Sequence, residues 1–86
     1  MARKPLSDAE RAQGRSLGEV FLQRREHDRI ERRTLARQAD ISEETLRNIE
    51  AGKSAAVTFL VVARIASSLG ISLNDLGNAI EKEEDK

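Results

Sequence analysis

The sequence offers few side chains for catalysis. It contains one histidine, His27, and no cysteine, so a disulfide, a cysteine nucleophile and a cysteine metal site are all excluded. It also lacks a glycine-rich phosphate loop and metal-ligand spacing. The 15 acidic residues are mixed with 15 basic ones, which is typical of solvated ion pairs. We therefore expect no enzymatic activity, no cofactor and no metal site, with His27 as a surface residue.

Side chains suited to binding are concentrated in two stretches. Residues 43–48 supply carboxylate, hydroxyl, guanidinium and amide groups: Glu43, Glu44, Thr45, Arg47 and Asn48. Residues 24–37 contain six arginines (24, 25, 29, 32, 33 and 37) against three acids. The net charge of zero is not the strongly basic balance of a general nucleic-acid binder, so the local distribution of charge matters more. Such a run of arginines is also a common solubility pattern.

Both stretches meet in a pair of short helices that the sequence predicts over residues 32–51. Leu46 and Ile49 are three residues apart and therefore share one face of the second helix. Ser42 suits the position before that helix, because its hydroxyl can accept a free backbone N–H of the first turn. Ala36 is small enough for two helices to cross closely. The pattern is that of a helix-turn-helix.

Three further helices are expected around this pair. A capping box formed by Ser7 and Glu10 starts a first helix near Asp8. Gly14 and Gly18 weaken its middle, but we expect it to continue to His27 rather than to break. A fourth helix follows Thr58 as its cap, and a fifth begins at 72–75. The apolar positions of the fourth helix have helical spacing: Phe59, Val62, Ala63, Ala66 and Leu69. Gly52 and Gly70 are expected to end the third and fourth helices.

The chain is short enough for one all-α domain of five helices. We divide it into an N-terminal arm with the start of the first helix (1–13), the helix-turn-helix domain (14–80) and a charged tail (81–86). A domain of this size has a thin core. The stripe formed by Leu73, Leu76 and Ile80 therefore needs cover, which predicts a homodimer through the fifth helix. No signal peptide or membrane span is evident, so we expect a cytoplasmic protein.

Several sequence runs resemble the phage repressor and Cro (Xre-type) family of DNA-binding proteins. L-A-R-Q-A-D-I-S, L-R-N-I-E-A-G-K and I-A-S-S-L-G-I-S-L-N-D-L each look like a family motif, and the likeness covers about residues 17–76. The sequence departs from the family at Arg29 and Asp40, where glycine is usual. Asp tolerates the left-handed backbone better than most residues.

The resemblance implies that the third helix lies in the major groove and that its first residues face the bases. Asn48 would then pair with adenine and Arg47 with guanine, while Thr45 would contact a thymine methyl or a phosphate. Arg47 has an equally good alternative, an ion pair with Glu43 one turn away. Glu43 and Glu44 are unusual next to a polyanion. A carboxylate can accept from cytosine, but it is also favourable at a helix N-terminus, so one Glu is expected to read or screen bases and one to be structural.

The resemblance also implies contacts with the DNA backbone and one structural ion pair. Phosphates are expected to bind Arg32, Arg33, Lys53 and the backbone near Ser54; Arg32 stands where the family often has glutamine. Arg25 and Glu50 match an Arg–Glu pair that joins the first helix to the end of the third. We expect these two charged groups to form a partly buried, charge-assisted hydrogen bond.

Two functions are consistent with the sequence. The first is a sequence-specific DNA-binding transcriptional regulator, a repressor-like homodimer on a palindromic operator in double-stranded DNA. The second is a protein-interaction module, antitoxin-like or adaptor-like, that reuses the fold. Zero net charge, the two glutamates and the apolar side chains of Leu60 and Val61 favour the second function somewhat.

Overall fold

The computed structural model describes residues 7–53 and 58–84, and within those ranges the chain forms five α-helices and no strand. The helices are α1 (Asp8–His27), α2 (Arg32–Gln38), α3 (Glu43–Glu50), α4 (Phe59–Ser68) and α5 (Leu73–Glu84). This confirms the all-α, five-helix architecture and the helix-turn-helix formed by α2 and α3. The expected continuous first helix is also confirmed. α5 continues through the first four residues of the predicted tail, where Glu and Lys are good helix formers.

Side-chain caps begin three of the helices. The Ser42 hydroxyl accepts from the backbone N–H of Thr45 at 3.0 Å, and Thr58 accepts in the same way from Val61 at 3.3 Å. Ser72 accepts from Asp75 at 3.0 Å. Each cap satisfies one of the backbone donors that a helix start leaves free. The predicted caps at Ser42 and Thr58 are therefore confirmed.

Left-handed residues end four of the helices, and two of them are not glycine. Gly52 and Gly70 have φ of 72° and 71°, as predicted, whereas Arg29 and Asp40 have φ of 57° and 58°. At each end, the residue that follows donates its backbone N–H to a carbonyl five positions back, for example Ile30 to Arg25 at 3.0 Å and Ile41 to Ala36 at 3.0 Å. The helix ends thus keep the geometry that glycine favours, with strain at Arg29 and Asp40.

The core lies where α1 packs against α3 and α5 and where α2 packs against α3 and α4. Its largest fully buried side chains are Phe21, Leu35, Leu46 and Ile65. Leu46 and Ile49 face this core together, as their spacing predicted. The apolar stripe of α4 needs correction, because Phe59 is 73 % exposed and the fully buried Ile65 was not in the predicted set. Phe59 and Leu60 at the start of α4 are exposed, whereas Val61 and Val62 in the same turn pack against the core.

The stripe of α5 is also covered differently from the prediction. Leu76 is only 3 % exposed, because it is part of the hydrophobic core of the domain, and Ile80 packs against that core as well. Leu73 alone of the three is an exposed large hydrophobic residue. The need for cover that suggested a dimer is therefore met at Leu76 by the chain's own helices.

No single helix in residues 7–53 and 58–84 is long and apolar enough to cross a membrane. The two helical segments Phe59–Ser68 and Leu73–Lys82, which meet at a bend of 97°, together have the length and composition of a broken membrane span, and only length and composition suggest one.

Candidate nucleic-acid interface

The third helix separates a buried apolar face from an exposed polar one. Leu46, Ile49 and Glu50 are buried. The residues on the rest of the helix are exposed: Glu43, Glu44, Thr45, Arg47 and Asn48. The spacing of three between Leu46 and Ile49 directs that face to the core, and the polar residues between them then point to solvent. All five base-reading candidates therefore share the outer surface of one helix.

The start of α3 is fixed by reciprocal hydrogen bonds. The Ser42 hydroxyl accepts from the Thr45 N–H and donates to Thr45 Oγ1, at an oxygen–oxygen distance of 2.7 Å. The Thr45 hydroxyl accepts here, so its own proton remains for an external acceptor such as a phosphate oxygen. Glu43 and Glu44 lie in the first turn, where the helix dipole stabilises a negative charge by about 0.3–1 kcal/mol.

Arg47 lies one turn from Glu43, and its Nη2 is 4.0 Å from Glu43 Oε1. This contact is at the limit of an ion pair and both side chains are exposed, so it holds Arg47 only weakly. Both of the alternatives considered for Arg47 are compatible with this distance. A guanidinium held so loosely can turn to a base edge at little energetic cost.

The end of α3 positions the basic residue Lys53. Its backbone N–H donates to the Asn48 carbonyl at 2.9 Å, across the left-handed Gly52. The Lys53 side chain is exposed. Lys53 thus lies just beyond the C-terminal end of α3, hydrogen-bonded through its backbone to a residue of the exposed face. Ser54, the other predicted phosphate contact in this segment, lies outside the described residues.

The predicted ion pair between Arg25 and Glu50 is confirmed. Arg25 Nε lies 2.6 Å from Glu50 Oε2, and Arg25 Nη2 lies 3.2 Å from Glu50 Oε1. The remaining Nη1 donates to the Ile30 carbonyl at 2.8 Å. The Arg25 side chain is 10 % exposed and that of Glu50 2 %. The pair links α1 to the last turn of α3 and so helps to fix the orientation of α3 relative to α1.

The two arginines at the start of α2 have different surroundings. Arg32 Nε donates to Glu50 Oε1 at 2.9 Å, and its side chain is 30 % exposed. Arg33 is 71 % exposed, with Nη2 3.7 Å from Glu31 Oε2. The sequence predicted both as phosphate contacts and did not anticipate the bond from Arg32 to Glu50. That bond connects two positions 18 residues apart, so no local pattern indicates it.

Gly18 is a packing residue that the sequence analysis did not identify. A Cβ built on it would lie 3.0 Å from the Glu50 carbonyl oxygen and closer still to the Ile49 carbonyl oxygen. Only a residue without a side chain lets α1 approach the end of α3 this closely. A signal was present, since Gly18 precedes Arg25 by two helical turns and therefore shares the face that meets Glu50.

His27 lies on the surface, as predicted, with its Nδ1 3.1 Å from Asp28 Oδ1. The hydrogen bond with His27 and, to a smaller extent, the one from Arg24 lower the pKa of Asp28 below its usual value. Among the side chains that the structure describes, no three of His, Asp or Glu come together as a metal site would need.

Known proteins with a similar sequence pattern or fold are also helix-turn-helix proteins. The Cro/C1-type HTH DNA-binding domain family matches residues 22–82. Among solved structures, the clp gene regulator ClgR from Corynebacterium glutamicum is similar, with a TM-score of 0.78 and 22% sequence identity. That similarity covers 94% of this chain and 79% of the other, and at this identity it concerns the fold. A comparison with curated proteins finds no match.

Proposed function

The chain belongs to the Cro/C1-type helix-turn-helix DNA-binding family, and on that premise we propose that it is a sequence-specific transcriptional regulator. Its activity is binding, with no chemical step. It binds a palindromic operator in double-stranded DNA as a homodimer and represses transcription by occupying a promoter. Each subunit places α3 in the major groove of one half-site, and the two half-sites are about one helical turn apart.

The observation that carries this proposal is the exposed polar face of α3. Leu46, Ile49 and Glu50 attach the helix to the core through its opposite side. Amide, guanidinium and hydroxyl groups are therefore presented together on a rigid element, as major-groove readout requires. Asn48 pairs with an adenine edge, Arg47 with a guanine, and Thr45 contacts a thymine methyl or a phosphate.

Backbone contacts surround this reading face. Arg32 and Arg33 stand at the start of α2, and Lys53 follows the end of α3. These cations, with Ser54, bind phosphates and set the register of the protein on the duplex without carrying sequence information.

The Asn48→Ala and Lys53→Ala variants test the proposal. On an operator selected from genomic fragments, Asn48→Ala should weaken binding by about 1–3 kcal/mol and relax preference at one base pair. Lys53→Ala should weaken binding to all sequences alike and reduce the salt slope by about one unit. Mobility-shift titrations at several salt concentrations measure both effects. Lys82→Ala, at an exposed position of α5, is the control.

The same titrations assign roles to the two carboxylates. Removing a base-reading Glu lowers specific affinity while nonspecific affinity rises, because a charge that repels phosphates has left. Removing a merely structural Glu raises both affinities together. Glu43→Ala and Glu44→Ala are each compared on operator and random DNA. If neither these nor the Asn48 and Lys53 substitutions change DNA binding, α3 is not the reader.

The homodimer is proposed through α5, with a contact smaller than the sequence suggested. Leu73 is exposed and Ile80 partly so, whereas Leu76 is already covered within the subunit. Self-association through Leu73 and Ile80 would set the half-site spacing. Sedimentation at micromolar concentration should give twice the chain mass, and Leu73→Glu should shift it towards the monomer. A monomer both free and on DNA would rule out the dimer.

A second candidate is a protein-interaction module, favoured by the exposed side chains of Phe59 (73 %) and Leu60 (57 %) at the start of α4. Contiguous exposed apolar surface is typical of protein-interaction sites. The salt titration separates the two functions. A saturable site with a steep salt slope supports the regulator. No shift at low salt, together with a protein partner whose binding Phe59→Ser abolishes, supports the module.

A further inference from the structure

One buried carboxylate holds two arginines from different helices. Glu50 Oε2 accepts from Arg25 Nε at 2.6 Å, and Oε1 accepts from Arg25 Nη2 at 3.2 Å and from Arg32 Nε at 2.9 Å. A single negative charge cannot neutralise two guanidinium groups, so the group of three carries one excess positive charge. Arg25 is nearly buried, whereas Arg32 is 30 % exposed. The excess charge is therefore accessible at Arg32.

The Arg32 guanidinium directs its Nε donor towards Glu50 and leaves its Nη donors without a partner in the described part of the chain. A guanidinium has five N–H donors on a rigid plane. The one on Nε points inward to Glu50, and within the described ranges the Arg32 side chain forms no other hydrogen bond or ion pair. The Nη donors thus remain for an acceptor outside the subunit. Their spacing suits two oxygens of one phosphate group.

From this arrangement we propose that Glu50 is a positioning residue for DNA-backbone binding, which holds Arg32 so that its Nη groups bind a phosphodiester. The proposal rests on the proposed DNA-binding function. An arginine fixed before binding loses less conformational freedom when the phosphate arrives. Glu50 itself is 2 % exposed and does not reach the DNA, so it acts through Arg32.

The same arrangement explains why arginine suits this position. A lysine ammonium keeps the charge, but it is one compact group without a planar fork. It cannot donate inward to Glu50 and present two parallel donors outward from separate nitrogens. Arg33 provides the comparison, since it is 71 % exposed and its only ion pair in the described part of the chain is the 3.7 Å contact with Glu31.

The first test compares Arg32→Lys with Arg33→Lys in mobility-shift titrations on the selected operator. Both substitutions preserve charge and leave the pair of Arg25 and Glu50 in place. We expect Arg32→Lys to weaken binding about tenfold, since a charge-assisted bidentate contact is lost, and Arg33→Lys to change it less than twofold. Equal small effects of the two substitutions would refute the positioning of Arg32.

The second test is a double-mutant cycle with Glu50→Gln and Arg32→Ala, at a temperature where circular dichroism shows every variant folded. Glu50→Gln should weaken DNA binding about tenfold more in the wild-type background than with Arg32→Ala, because any loss that comes through the orientation of α3 is common to both backgrounds. A merely structural Glu50 gives the same loss in both backgrounds. If Glu50→Gln does not fold, the lysine comparison decides alone. A wild-type chain that binds no DNA overturns the proposed function, whereas one that binds without coupling overturns this inference only.

Discussion

Replacing Arg25 with alanine is expected to lower the free energy of unfolding by about 3–5 kcal/mol. The substitution removes two hydrogen bonds to Glu50 and one to the Ile30 carbonyl. Glu50 is then left in the interior with Arg32 as its remaining partner. The buried carboxylate then has one donor in place of three, and an incompletely satisfied buried charge costs more than the lost hydrogen bonds contributed. For a domain of this size, such a loss approaches its whole stability.

The neighbouring Arg24 provides a matched control for this prediction. Arg24 Nε lies 3.0 Å from Asp28 Oδ2, but both side chains are solvent-accessible. Exposed ion pairs contribute little, so Arg24→Ala should hardly move the thermal transition. Far-ultraviolet circular dichroism melts of the two variants measure the difference. Transitions that shift equally would show that the pair of Arg25 and Glu50 is not the stabilising contact described above.

Replacing Gly18 with alanine should destabilise the domain by about 3 kcal/mol, although alanine is the better helix former. The added methyl would overlap the backbone carbonyls of Ile49 and Glu50 at the end of α3. Backbone atoms cannot rotate away as side chains do, so α1 and α3 must separate. Overpacking of this kind costs about 1–3 kcal/mol and occasionally more. The separation also lengthens the hydrogen bonds between Arg25 and Glu50, which adds to the cost.

Gly14 is the matched control within the same helix. A Cβ on Gly14 would meet nothing within 4 Å. Gly14→Ala should therefore raise the free energy of unfolding by about 0.5–1 kcal/mol through helix propensity alone. Chemical denaturation of the two variants gives opposite signs if the close approach at Gly18 is real. Stabilisation by both substitutions would mean that α1 and α3 are further apart than described.

Arg25, Glu50 and Arg32 join three helices through one carboxylate. Arg25 belongs to α1, Glu50 to α3 and Arg32 to α2, so the orientation of the helix-turn-helix on its supporting helix depends on this group. Changes at Arg25 or Gly18 are for that reason expected to affect DNA binding through the angle of α3 as well as through stability. The Glu50→Gln cycle isolates the direct effect, because it compares backgrounds with and without Arg32.

Local chemistry determined where the helices begin and end. Ser42 and Thr58 cap α3 and α4, and Gly52 and Gly70 adopt the left-handed backbone that ends them. Each of these signals acts over three to five residues, so it can be recognised in the sequence without knowledge of the fold. The spacing of Leu46 and Ile49 likewise determined which face of α3 would be buried and, by difference, which would be exposed.

The partnership of Arg25 and Glu50 was foreseen only through the family resemblance, since these residues are 25 positions apart. The tertiary structure alone decided the second partner of Glu50, the burial of Leu76, the exposure of Phe59 and the need for glycine at position 18. Each depends on the distance between helices that are remote in sequence. Helical periodicity gives the direction in which a side chain points, but not how far the neighbouring helix extends or how closely its backbone approaches.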